Sequence, residues 1–376
     1  MKTAIVTTTI NVPIFLEGYL VNFRKFKINP EKAMFIIIGD MKSDHDKIKK
    51  YIEGLNSEYI IEYWDVDKQK EWILQNYPGM DVDSIIPWNS IRRRNLGYLR
   101  ALELKKEIII TIDDDNFVAE DVDWFNQHIE SFYGNKKIMK VHSLNKIVNP
   151  CDMLSMNTQN IYSRGYPITK MFSNTFEPIF PERNKVVLNV GLWRESPDID
   201  GIANLLYNDI KSYGIKMDMK DKYALFMGNY IPINTQNTSF LAEITPAFYA
   251  LLMDTEINGL KMDRYDDVWA GWFITAIAHH LGDTVTFGTP LTNHIRNKHD
   301  YLKDTKSEFL AMILNLELFN FVQNLNLLNS NYFHCYEEIS SELIRFAYSL
   351  DESLMPYFER LSNAMKGWLL LCKKWM

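Results

Sequence analysis

Glu107-Ile108-Ile109-Ile110-Thr111-Ile112-Asp113-Asp114-Asp115 is an apolar run that stops at three consecutive carboxylates. Ile108, Ile109, Ile110 and Ile112 have the β-branched continuity of a strand covered on both faces. Asp113, Asp114 and Asp115 then emerge together at its C-terminal edge, where open α/β sheets bind their ligands. Adjacent carboxylates repel one another, so a positive group is expected between them, and a hard divalent cation with oxygen ligands suits them. An isolated Asp triplet is ordinarily a solvated turn or a helix cap. Attachment to an all-apolar strand shifts the reading toward a metal–diphosphate site.

Working outward, residues 4–10 form a first strand that ends at Asn11 and Pro13, and 14–26 a helix. A second strand over 34–38 stops at Gly39-Asp40, a charged helix covers 44–55, and 59–64 is a third strand. Helices near 68–75 and over 90–104 lead into the acidic strand, and another follows it at 121–132. This alternation predicts an α/β fold, a mostly parallel sheet flanked by helices. Farther on, Pro150, Pro167, Pro178, Pro181 and Pro197 break any long element; 186–188 and 284–287 are strands and 269–280 a helix. Helices over 308–325, 336–348 and 355–375 place an organisational boundary near residue 300, between a domain of residues 1–300 and a helical C-terminal region of 301–376.

The 376 residues, 47% hydrophobic and 24% charged, suit a soluble globular chain. A net charge of −7 offers no footprint for nucleic acid. Cys151, Cys335 and Cys372 contain no Cys-x-x-Cys and suit a reducing, cytoplasmic location. No apolar run is long enough for a membrane span. No two of the sixteen glycines are one residue apart, which removes the Gly-x-Gly-x-x-Gly dinucleotide fingerprint, and there is no Gly-x-x-x-x-Gly-Lys phosphate loop.

Three more clusters bear on chemistry. Arg92-Arg93-Arg94 can offer guanidinium forks to phosphate, although two of any three such residues are usually solvated; Arg94, three before Gly97, is expected to turn inward. Asp266 and Asp267 stand at a helix start beside Trp269 and Trp272, and Gly191-Leu192-Trp193 precedes Asp198 and Asp200. Aromatic faces beside acids suit a sugar, whose ring stacks while the acids take its hydroxyls. His294, with Arg296 and His299 beyond it, follows the strand at 284–287 and is a candidate third metal ligand; a lone His is more often a plain surface or core residue.

These motifs resemble the reversibly glycosylated polypeptide family, which includes plant UDP-arabinopyranose mutases. The resemblance runs through Thr111-Ile112-Asp113-Asp114-Asp115 with Phe117-Val118-Ala119, Arg164-Gly165-Tyr166-Pro167, Gly191-Leu192-Trp193 with Pro197-Asp198 and Asp200, and Asn237 with Phe240. It continues through Arg264-Tyr265-Asp266-Asp267 with Trp269-Ala270-Gly271-Trp272, His294, and Pro356-Tyr357-Phe358. Asn116 stands where the family usually has Cys, and Thr235-Gln236 where it has Gly-Met.

The resemblance implies a GT-A-like nucleotide-sugar-binding sheet with Mn²⁺ or Mg²⁺ on Asp113, Asp115 and His294. It implies Thr7, Asp40, Arg94, Asp113, Trp193, Asn237 and Trp269 as contacts to UDP-arabinose or a related UDP-sugar. It further implies interconversion of pyranose and furanose rings, with a reversible sugar adduct on Arg164. Because guanidinium holds its proton tightly, a nucleophilic Arg164 needs a carboxylate partner, and Asp198, Asp200, Asp266 and Asp267 are the candidates. Arg164 as a fixed cation on the diphosphate is the other reading. Two further functions stay open: a transferase passing sugar to a separate glycan acceptor, with Asp266 or Asp267 as base, and a scaffold subunit. The family also implies homo- or hetero-oligomers. Trp368 to Trp375 with Lys366, Lys373 and Lys374 offers at most a peripheral membrane contact, and packing on the body of the protein explains it better.

Overall fold

In the computed structural model, which describes all residues except 134–136, 174, 184, 208 and 297–299, the strand Ile108–Ile112 is buried throughout. Each large aliphatic side chain so removed from water contributes roughly 1.5–3 kcal/mol, which is why this run of isoleucines sits inside the sheet. It is β4, after β1 (Thr3–Thr8), β2 (Ala33–Ile38) and β3 (Ile60–Trp64). The four run parallel in the spatial order β3-β2-β1-β4. Helices α1 (Phe15–Lys25), α2 (His45–Gly54), α3 (Val66–Asn76) and α4 (Arg94–Glu103) make the crossovers. α4 crosses the sheet at Gly97, where a Cβ would stand 2.4 Å from Val6. The alternation expected from the sequence is therefore present, with boundaries shifted by a few residues.

Beyond β4 the sheet continues through Asn237–Leu241, Val186–Val190, Thr284–Gly288, Lys222–Leu225, Ile138–His142 and Glu177–Glu182. Asn237–Leu241 lies antiparallel to both neighbours, so the ten-stranded sheet is mixed. This strand has no apolar run to announce it; its Asn237, Thr238 and Ser239 are completely buried and hydrogen-bonded inside. The outer strand Glu177–Glu182 is exposed along its length, and Pro178 and Pro181 blunt it against pairing with other chains.

A five-stranded sheet follows the acidic trio, in the order Asn116–Val118, Thr292–His294, Trp193–Glu195, Ser212–Ile215, Leu154–Met156. Its register sets His294 opposite Asn116, one residue from the trio. The helices Tyr301–Gln323, Tyr332–Ala347 and Met355–Lys373 complete the chain and share one hydrophobic cluster with the main sheet. Trp368 stacks on Tyr249 at 5.4 Å, and Trp375 Nε1 donates to Tyr77 Oη at 2.6 Å. The last helix is thus docked on the body of the protein. Among the described residues no helix is long and apolar enough to cross a membrane.

Candidate active site

Thr8 to Asn11 at the end of β1, Asp40 and Lys42 after β2, Asn89 to Ile91 before α4 with Arg94 in its first turn, and Asp113 to Asp115 after β4 converge on a cleft of about 630 Å³. That volume suits a nucleotide-sized ligand, and strand polarity explains its place: parallel strands bring all their C-terminal ends to one edge.

The three aspartates have different partners. Asp114 accepts from Thr9 Oγ1 at 2.6 Å and from Asn11 Nδ2 at 3.5 Å, fastening the loop after β1. Burial, with Asp115 and Asp113 beside it, holds its carboxyl above the usual carboxylate range. Asp113 is ion-paired with Arg94 Nη2, and Arg94 Nη1 donates to Thr111 Oγ1 at 3.0 Å and to the Thr235 carbonyl at 3.1 Å. Burial alone would lower Arg94, but Asp113 outweighs it and the guanidinium is held more firmly charged than usual. Asp115 Oδ2 lies 3.6 Å from His294 Nε2, while His294 Nδ1 is 2.7 Å from the Ser196 carbonyl. That carbonyl can only accept, so a neutral ring carries its proton on Nδ1 and turns the Nε2 lone pair toward Asp115.

In that tautomer a carboxylate oxygen and an imidazole lone pair face each other, a pair suited to a cation. The bond from Nδ1 to a carbonyl is the support metal-ligating histidines ordinarily have. Among the described residues no group of three or more His, Cys, Asp or Glu side chains is arranged to hold a metal. Two protein ligands with phosphate oxygens and water completing the shell are nonetheless what a magnesium-like ion accepts. Asp113, expected as a third ligand, instead faces Arg94.

The other expected contacts divide sharply. Asp40 lines the cleft, yet its carboxylate accepts the backbone N–H groups of Met41 at 2.7 Å, Asn89 at 2.8 Å and Ser90 at 3.1 Å. Thr7 is enclosed within β1, and Thr8 to Asn11 line the cleft in its place. Asn237 is completely buried, donating to the Leu192 carbonyl at 3.0 Å and accepting from Trp124 Nε1 and His128 Nε2, both at 3.0 Å. It ties strands together. Burial pushes His128 down to about 3, which keeps that imidazole neutral in this role. Trp193, Trp269 and Trp272 are each 0% exposed, so the aromatic sugar wall is overturned. Trp269 lies parallel to Phe358 and Trp272 Nε1 donates to Asn315 Oδ1 at 3.0 Å, both among the C-terminal helices. Arg92 and Arg93 are buried as well, contrary to the solvated face expected for two of the three arginines. Arg92 reaches Asp263, and Asp266 at 3.4 Å; Arg93 reaches Asp83 at 3.0 Å and lies over the Trp88 ring.

Arg164 is held in two forks. Nε and Nη2 donate to Asp198 Oδ1 and Oδ2 at 3.1 Å each, and Nη1 and Nη2 donate to Asp267 Oδ1 and Oδ2 at 2.9 and 2.7 Å. Nη1 also donates to the Arg264 carbonyl, so all five N–H groups are used. Burial works to lower the guanidinium, and the two carboxylates overcome it, holding Arg164 well above its ordinary value. The neighbouring acids are pushed apart. Burial raises Asp266 to about 6, despite Arg92, whereas for Asp267 the Arg164 charge outweighs burial and lowers it. Two carboxyls driven in opposite directions are how one site obtains an acid and a base. Asp200 stands apart from this exchange: it caps Gly201–Leu206 through Ala203 N at 2.7 Å.

Residues 16–376 match the family model described as reversibly glycosylated polypeptide. The chain belongs to the reversibly glycosylated polypeptide family. It is 28% identical over 295 residues to the protein named probable UDP-arabinopyranose mutase 2 of Solanum tuberosum, covering 76% of this chain and 72% of that one. It is 28% identical over 294 residues to UDP-arabinopyranose mutase 2 of Arabidopsis thaliana, covering 76% and 73%. Among solved structures, it is similar to S. aureus TarS 1-349 in complex with UDP-GlcNAc, at TM-score 0.41 and 9% identity over 99% of this chain and 82% of that one. It is similar also to the mannosyltransferase PcManGT from Pyrobaculum calidifontis in complex with GDP-Man and Mn²⁺, at TM-score 0.38 and 8% identity over 99% and 73%.

In this member of the family, the sequence left several cleft residues unmarked. Lys42 and Asn89 to Ile91 line it from loops without any periodic pattern. Asp263, the nearer of Arg92's two carboxylate partners, precedes the family motif by one residue. Glu308, which accepts from Gly201 N at 2.8 Å and Arg264 Nε at 2.9 Å, lies inside an apparently ordinary helix.

Proposed function

We propose that this protein is a metal-dependent UDP-sugar mutase that interconverts pyranose and furanose rings through a reversible adduct on Arg164. Its family membership supports this reading, and one observation carries it: two carboxylates address the same nitrogen, Nη2 of Arg164, at 2.7 and 3.1 Å. Asp267 or Asp198 would take a proton from Nη2 as its electron pair attacks the anomeric carbon. The anomeric C–O bond breaks and its electron pair leaves with UDP. In the adduct the ring oxygen departs from the anomeric carbon and takes a proton, and the 4-hydroxyl closes onto that carbon and loses one. Asp266, raised to about 6, is partly protonated near neutral pH and is the carboxyl suited to give and recover that proton. UDP then displaces the arginine nitrogen, which regains its proton. No net oxidation occurs.

Asp115 and His294 would hold the divalent cation, and its chemistry there is neutralisation of charge on the departing diphosphate. The resting network keeps the proton on Arg164, so sugar binding must release one of its five hydrogen bonds before the adduct forms.

Intact-mass spectrometry after incubation with UDP-arabinopyranose or UDP-galactopyranose tests this reading, with chromatography of the nucleotide-sugars alongside. A pentose or hexose mass shift, lost in Arg164→Ala but not in Arg296→Ala, and formation of the furanose are expected. Donor binding with neither shift nor isomerisation counts against it. A transferase is the second reading, favoured by a cleft of about 510 Å³ that shares Asn89, Ser90 and Ile91 with the first and has room for an acceptor. Donor consumption only when a glycan acceptor is added would select it.

A further inference from the structure

Resting on the UDP-sugar reading, we infer that Lys42 is the side chain that contacts the nucleotide's diphosphate, on a loop that Asp40 holds in place. A diphosphate entering the cleft meets a wall with a formal excess of carboxylate: Asp40, Asp113, Asp114 and Asp115 against Arg94 and Lys42. A divalent cation offsets part of that charge, and a protein cation is needed for the rest.

The three arginines that announce themselves in the sequence are already engaged. Arg92 pairs with Asp263 and Asp266, Arg93 with Asp83, and Arg94 with Asp113. Lys42 lines the same cleft, is exposed, and among the described residues its ammonium has no carboxylate within ion-pair distance. A compact ammonium on a flexible stem is a point-charge phosphate binder that tolerates varied geometry.

Its loop is fixed more firmly than its exposure suggests. Ser43 N donates to the Asp40 carbonyl at 2.9 Å, Asp40 N donates to Ser43 Oγ at 2.8 Å, and Ser43 Oγ donates to the Thr9 carbonyl at 3.0 Å. The Asp40 carboxylate adds the N–H groups of Met41, Asn89 and Ser90, joining the Lys42 turn to the opposite wall. Asp40 is thus a positioning residue, and the lysine projects from a framed turn.

The test is calorimetric titration of the full chain with UDP and with uridine in magnesium buffer, for wild type, Lys42→Gln and Lys42→Arg. Loss of a charge-assisted phosphate contact should weaken UDP about tenfold or more, leave uridine within about twofold, and flatten the dependence of UDP affinity on salt. Lys42→Arg should recover most of the affinity. Unchanged UDP affinity in Lys42→Gln, or equal losses for UDP and uridine, overturns the assignment to the diphosphate. Failure of the wild type to bind UDP at all overturns the nucleotide-sugar reading itself.

Discussion

Replacing Arg164 by methionine keeps much of the side chain's length and removes the charge that holds two buried carboxylates together. Asp198 and Asp267 would each lose two hydrogen bonds, at 3.1 and 3.1 Å and at 2.9 and 2.7 Å, and the Arg264 carbonyl would lose a donor. Removing one partner of a buried ion pair costs about 3–5 kcal/mol. The cost has a ceiling, because an orphaned carboxylate can bind a proton at about 1.4 kcal/mol per pH unit. That ceiling supplies the test. In the wild type, Arg164 holds the folded Asp267 below its unfolded value of 3.8, so its stabilising contribution is present above that value and is lost as pH falls through the folded one. In Arg164→Met burial and the like charge of Asp266 face only the Val268 and Thr235 N–H groups and the Arg94 charge; the folded value is expected to rise above the unfolded one, and stability is then lost as pH rises. The difference between the two proteins should be widest at pH 8 and narrow toward pH 5. Urea unfolding followed by circular dichroism should give a gap of about 3 kcal/mol or more at pH 8, reduced by at least about 1 kcal/mol at pH 5. A gap below about 1 kcal/mol, or one that does not move with pH, would refute the account of the network.

Asp266→Asn probes the opposite sign. Burial raises the folded Asp266 from 3.8 to about 6, so the wild type's cost appears as pH rises through that window, and it should lose up to about 3 kcal/mol relative to the variant between pH 4 and pH 8; parallel stability curves would contradict this. Asp115→Asn and His294→Ala should each weaken Mn²⁺ binding in the presence of UDP by about tenfold or more, measured by manganese paramagnetic resonance, while an equal effect from the exposed His334→Ala would show the site to be elsewhere. Gly191→Ala would place a Cβ 2.6 Å from the Asn237 carbonyl oxygen, which the sheet cannot move. A loss of about 1–3 kcal/mol in urea unfolding is expected, and an unchanged midpoint would mean the local backbone can shift.

The parallel half of the sheet was legible because its strands are uninterrupted aliphatic runs, Met34-Phe35-Ile36-Ile37-Ile38 and Ile108 to Ile112, separated by helices of ordinary length. In the other half only the strands at 186–188 and 284–287 were legible. Asn237–Leu241 buries Asn237, Thr238 and Ser239, whose partners include the Pro290 carbonyl, the Asn234 carbonyl and His128, and no periodicity of apolar residues records such pairing. For the site, the acidic trio stood out because carboxylates at the end of an apolar strand have one exit, the sheet edge. The tryptophans misled because Trp269 and Trp272 sit beside acids in sequence but are enclosed against Phe358 and Asn315 of the C-terminal helices. Buried ion pairs and buried aromatics share this helix, and composition alone does not separate them from a sugar pocket.

The cleft and Arg164 are linked by a short ladder of partners. Asp113 holds Arg94, Arg94 Nη1 donates to the Thr235 carbonyl at 3.1 Å, and the Thr235 N–H reaches Asp267 Oδ2 at 3.3 Å. Asp267 then holds Arg164, which holds Asp198, and Gln236 Nε2 reaches Asp198 Oδ1 at 3.5 Å. Thr235 thus contacts charged groups on both sides through its own N–H and C=O, with an arginine at one end and a carboxylate at the other. Its N–H and C=O belong to two successive peptide groups, so the link through Thr235 is positional, and the Arg94 charge itself also lowers Asp267. A change at Asp113 that moves Arg94 therefore alters the charge facing Asp267. Asp267 is one of the two carboxylates that keep the proton on Arg164. Thr235 and Gln236, two of the positions at which the resemblance implies a departure from the family pattern, lie in this ladder. A substitution there is expected to alter how firmly the arginine is held without touching the acidic trio.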